Sequence, residues 1–152
     1  MHMLEKYSEE AYGMMRVVTA FVFACHGAQK YFGVLGGAVQ IHTTRGLIAG
    51  TVELIGGALI LTGLFTRIAA FFASGEMAVA YFWVHAKRGS WPILNKGELA
   101  VVLCFAFLYV ACKGSGRYGL DNLLHRARSH QATSDDGSLE SAAAISKIKR
   151  AH

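Results

Sequence analysis

Four apolar segments, at about 14–32, 46–65, 67–86 and 97–112, follow one another with only short polar breaks. Each is roughly 16–20 residues long, and at ~1.5 Å of rise per residue that length matches the ~30 Å hydrocarbon core of a bilayer. A soluble bundle of greasy helices is the competing solution, but it needs every helix to keep a polar face. The run LIAGTVELIGGALILTGLF at 47–65 keeps none, because its apolar residues go all the way round. Charge is distributed to match: residues 14–112 hold ten of the twenty-five Asp, Glu, Lys and Arg side chains, and the two ends hold the other fifteen. The pattern predicts an all-α fold, a four-helix transmembrane bundle running up-down-up-down through residues 14–121. An N-terminal tail at 1–13 and a polar, largely mobile tail at 122–152, with one short helical pattern at 138–150, complete the expected organisation.

The start MHMLEKYSEEAYG carries three Glu before the first apolar run, which reads neither as a secretory signal nor as a transit peptide. Lys6, Arg16, Arg67, Lys113, Arg117, Arg126 and Arg128 fall on the side of the termini, against Lys30, Arg45, Lys87, Arg88 and Lys96 on the other. That bias puts both termini in the cytoplasm; the expected location is a bacterial inner membrane. A net charge of +5 would suit nucleic acid if the cations formed one face with aromatics between them. They lie instead in short loops and in the C-terminal tail, where anionic lipid headgroups are the fitting partner. Trp91 and Pro92 mark an interfacial loop, and the connection between the second and third spans falls at Thr66 and Arg67.

Ionisable groups at membrane depth cost at least ~2.5–3.5 kcal/mol, so they face the interior and find partners. Counting ~1.5 Å per residue from the end opposite the termini places Cys25, His26, Glu53 and Cys104 in one layer, with Glu76 just beneath. Lys30 shares a helix face with His26 and reaches the level of Glu98, while His85 caps the third segment there. Such a ring either fixes helix register or handles protons around a small polar headgroup. No spacing supports a metal centre, a haem pair, an iron–sulfur cluster or a nicotinamide fold. Cys25 and Cys104 share a depth that would permit a redox pair, although cysteines among Ala, Phe and Leu commonly act as small hydrophobes. Gly46, Gly50 and Gly57, with Gly56 and Gly63, form a small-residue stripe that predicts a tightly packed second helix.

Taken in order, Arg16, HGAQKYFG at 26–33, ELIGGALILTGLFTRIAA at 53–70, GEMAVAYFWVHA at 75–86, WPILNKGELA at 91–100 and GSGRYGLD at 114–121 resemble the DoxX family of small four-span membrane proteins. The resemblance implies a four-helix membrane bundle. It also implies a link to quinone-dependent redox chemistry, including a subunit of a thiosulfate:quinone oxidoreductase, and to complexes that handle oxidative or thiol stress. Its recurrent polar positions match Arg16, His26, Lys30, Glu53, Arg67, Glu98 and Asp121.

The expected function is a membrane redox subunit that binds a quinone or quinol in the outer half of the bundle and works with a partner oxidoreductase. His26 and Glu53 are the candidate catalytic pair, Glu53 orienting His26. Lys30, Glu76, His85 and Glu98 join them as the cofactor-binding set. The competing expectation is a non-catalytic scaffold whose buried charges only fix packing; a homo-oligomer is compatible with either.

Overall fold

The computed structural model describes residues 2–127, and among these all regular structure is helical. After a single turn, His2–Glu5, the first long helix, α1, spans Ser8–Phe32. It begins well before the apolar segment because its first turn is held from outside. Glu9 pairs with Lys113 at 2.8 Å, Glu10 accepts from the Tyr118 hydroxyl at 3.1 Å, and Tyr12 donates to the carbonyl of Gly114. Two carboxylates in a first turn also suit the helix dipole. Most of the expected N-terminal tail is therefore helix. Gly33, at φ 66°, supplies the left-handed residue that ends α1.

The second helix, α2, spans Thr44–Thr62. Thr43 caps it by accepting from the Gly46 amide at 3.1 Å, and a π-turn over Val52–Gly56 interrupts its middle. Gly63 (φ 75°) closes it against Gly119, where a side chain would strike backbone. The turn to α3, which spans Thr66–Arg88, is formed by residues 63–65. Thr66 and Arg67, expected to be that turn, are instead the first turn of α3. The cause lies far away in sequence: both carboxylate oxygens of Asp121 accept backbone amides, from Phe65 at 2.8 Å and Thr66 at 3.0 Å, and so cap α3 from outside.

A second π-turn, Tyr81–His85, and a 3-10 turn, Ala86–Arg88, finish α3. The loop between α3 and the last long helix contains one turn, Pro92–Asn95, organised by buried Asn95, which donates to Gly89 and accepts from the Gly97 amide. That last long helix, α4, spans Glu98–Lys113. Beyond it a further helix occupies 120–127, running from the end of the expected body into the expected tail. The pattern at 138–150 lies outside the described residues.

Contacts along their lengths set the helices antiparallel. The end of α1 meets the first half of α2 through Lys30 and Glu53, while its start meets the end of α2 through Arg16 and the carbonyls of Ile60 and Leu61. Arg67 at the start of α3 reaches Ala111 and Lys113 at the end of α4, and Ser74 donates to the carbonyl of Cys104 midway. The backbones of α1 and α2 approach closely at Gly27, where a Cβ would run into Leu54, and at Gly57, where it would meet Ala24. Phe23 and Phe107 meet in the centre, their ring centroids 4.8 Å apart and their planes tilted by 59°.

The surface that this packing leaves outside is apolar. Phe21, Phe71, Phe72, Phe82, Val102 and Phe105 are all exposed. α2 and α3 are long and apolar enough to cross a membrane, yet only 33% of the apolar stretch of α2 and 28% of that of α3 is buried. The core helix of a soluble protein hides most of its apolar length, so an outward surface of this kind belongs against lipid.

Candidate functional site

Two sets of ionic side chains stand out by the groups they touch. In the first, they close helix ends. Arg16, only 1% exposed, donates to the carbonyls of Ile60 and Leu61, the last of α2. Arg67 does the same at the end of α4, reaching the carbonyls of Ala111, Cys112 and Lys113. Asp121 serves the opposite pole, the free amides at the start of α3. Each places its charge where the helix dipole and the unpaired backbone groups call for it. Partial burial alone would raise the Asp121 carboxyl, but the Thr66 and Phe65 amides, with the charge of Arg16, hold it below the usual aspartate range.

The second set touches no helix end. Glu53 sits on the π-turn of α2, 2% exposed, with Oε1 taking a hydrogen bond from Lys30 and Oε2 without a partner among the described residues. A π-turn carries one extra residue in its ring and so turns its side chains away from the regular helical direction, a device common at functional sites. Glu76, from α3, lies within charge–charge range of Glu53 and Lys30, and its own Oε2 also lacks a partner among the described residues. His26 is within the same range of Glu53.

The proton position on His26 is fixed by its neighbour. Gln29 presents its amide nitrogen to the carbonyl of Leu35 at 3.0 Å, which can only accept, so its oxygen is the atom facing His26 Nδ1 at 3.2 Å. Nδ1 is then the donor, and in the neutral imidazole Nε2 keeps its lone pair for another partner. Next to this cluster the Tyr31 hydroxyl meets Thr51 at 2.6 Å, tying α1 to α2 on its loop side.

Of the six predicted site residues, the structure brings His26, Lys30, Glu53 and Glu76 together. It does not bring in the other two. His85, on the second π-turn, is bonded through Nδ1 to the carbonyl of Asn95 and so fastens the loop before α4. Glu98 is exposed in the first turn of α4, where a carboxylate suits the dipole. Lys30, expected at the level of Glu98, pairs with Glu53, and one expectation needs correction: His26 is oriented by Gln29 and not by Glu53. Lys30 is long enough to cross to α2 at the close approach that Gly27 permits, which leaves nothing to reach α4. Gln29 is not conspicuous in the sequence, although its place three residues after His26 is the available signal. The cysteines are free, and Cys104 packs its sulfur 3.6 Å from the Ser74 hydroxyl.

Comparison with known proteins adds a family and two relatives. The DoxX family model matches residues 12–86. A Haemophilus influenzae protein described as uncharacterized is 41% identical over 129 residues, covering 80% of this chain and 96% of that protein. A Bacillus subtilis protein described as "Putative oxidoreductase CatD" is 27% identical over 120 residues, covering 76% of this chain and 87% of that protein. No solved structure matches.

Proposed function

The chain belongs to the DoxX family, and on that premise we propose that it is an integral protein of the bacterial inner membrane that binds a quinone or quinol beside His26 and Glu53 and serves a partner oxidoreductase. In this reading all four long helices span the bilayer, up-down-up-down, with both termini in the cytoplasm. The observation that carries the proposal is the Glu53 carboxylate: buried in an apolar body, answered on one oxygen only among the described residues, and set on a π-turn beside a histidine whose Nε2 keeps its lone pair. An unanswered polar atom at such depth is costly, and a ligand with a carbonyl or hydroxyl group relieves the cost by hydrogen bonding. The oxidoreductase description of the Bacillus subtilis relative points the same way.

A quinone, when bound, supplies two-electron, two-proton chemistry. The protein's share is to position and to hold protons. His26 Nε2 accepts a hydroxyl proton or, once protonated, donates to a ring oxygen. The free oxygens of Glu53 and Glu76 offer two further proton sites, and Lys30 keeps a positive charge among them so that the buried carboxylates are not left unbalanced.

The three helix-capping charges favour a second reading, a non-catalytic scaffold in which Lys30 and Glu53 are one more structural pair. Quinone titration into the protein in lipid nanodiscs separates the two. His26→Ala and Glu53→Gln should each weaken quinone binding about tenfold or more, the loss of one or two hydrogen bonds to a buried group. Lower thermal stability in Glu53→Gln with unchanged quinone affinity in both variants would select the scaffold. The topology is tested by protease access in vesicles of known sidedness: an epitope at the C-terminus should be cut only from the cytoplasmic side, and a site inserted near Trp91 only from the other.

A further inference from the structure

Beyond α4 the chain turns at Gly114 and Gly116 and enters the helix at 120–127. Leu120, Leu123 and Leu124 fall at i, i+3 and i+4 on one face of it and are 42%, 55% and 51% exposed. Asp121, Asn122 and His125 share the opposite face. Asp121 is bound to the turn before α3 and to its first residue by three hydrogen bonds, two to its carboxylate and one from its amide to the Gly63 carbonyl, and Asn122 donates to the carbonyl of Gly116. These three residues line, with Lys113 and Arg117, an open groove of about 740 Å³.

The helix is therefore turned the wrong way for water. A surface helix of a soluble protein lays its apolar stripe on the body and its polar face outward. Here Asp121 and Asn122 face the body, His125 stands exposed at the groove, and three leucines look out.

We propose that 120–127 is an interfacial anchor, lying along the bilayer with its leucines among the acyl chains at the headgroup boundary. Its position argues for lipid as the occupant. Asp121 pins the helix to the first turn of α3, so it lies at the level where that apolar helix begins, and its leucines are exposed there. Arg117 stands exposed at the same level, where anionic headgroups would meet it. The inference rests on the membrane-spanning reading, and its test keeps the two apart.

Leu123→Trp, at an exposed position that tolerates a larger ring, is reconstituted as the full chain in nanodiscs of phosphatidylcholine and phosphatidylglycerol. Lipid brominated near the glycerol end should remove roughly half or more of the added emission, and aqueous iodide little. Leu124→Trp, on the same face, should behave alike. Quenching of the added tryptophan by iodide alone would put this face in water. Quenching by neither agent would put it under protein, either a second copy or another part of the chain. Each result overturns the anchor. Native Trp83 and Trp91 report on the underlying premise: if brominated lipid leaves them untouched as well, the spanning reading has failed and not the anchor alone.

Discussion

At the scale of single residues, a charge's role is decided by whether a helix end is within reach. Arg16, Arg67 and Asp121 all find one, and Glu53 does not. Asp121 carries a pH prediction. Because its folded carboxyl titrates below the ordinary aspartate value, the stability it contributes is complete at neutral pH, begins to fall as pH drops below ~4, and vanishes once pH passes under the depressed folded value. Asp121→Asn should lower stability at pH 7 by about 1 kcal/mol, the scale of a lost helix cap, and thermal melts of the two proteins should converge toward acid pH. A constant gap at every pH would refute the assignment. The sequence makes His26, Lys30, Glu53 and Glu76 legible as a group, since ionisable residues in apolar runs are conspicuous. It does not make their partners legible: whether Lys30 meets Glu53 or Glu98 depends on helix rotation and approach distance, and no count of residues along one helix supplies those.

At the scale of the element, glycines set how near the helices come. Gly27 and Gly57 sit where a Cβ would enter the neighbouring backbone, whereas at Gly56 the nearest heavy atom to a Cβ would be 3.8 Å away, on the Phe23 ring. Gly27→Ala and Gly57→Ala should each cost about 1–3 kcal/mol by forcing α1 and α2 apart, and Gly56→Ala should be neutral or mildly stabilising. Unfolding of the three variants in detergent checks the order; equal losses would contradict the packing. The stripe read from spacing contains Gly57 but not Gly27, because small-residue spacing marks one helix and the opposing contact lies on another. Helix ends are the least readable feature. α1 starts at Ser8 because Lys113, Gly114 and Tyr118 hold its first turns, and the turn after α2 shifts to 63–65 because Asp121 caps the start of α3. The π-turns at Val52–Gly56 and Tyr81–His85 have no sequence signature of their own, yet they carry Glu53 and His85.

At the scale of the whole molecule, the described residues form an all-helical body with an apolar exterior, and the cluster of His26, Lys30, Glu53 and Glu76 inside it leaves two carboxylate oxygens without a partner among them. The apolar exterior is plain in the sequence, from the all-round hydrophobicity of 47–65 alone. The cluster's composition depends on tertiary contacts that bring α1, α2 and α3 to one level. The central claim is that this cluster receives a quinone, and its most direct measurement is photolabelling with an azido-quinone in native membranes, with peptide mapping of the adducts. Adducts should concentrate on the peptides holding His26 to Lys30 and Val52 to Gly56, and excess unlabelled quinone should suppress them. Labelling spread over the lipid-facing aromatics such as Phe71, Phe72 and Phe105, indifferent to competitor, would contradict the account.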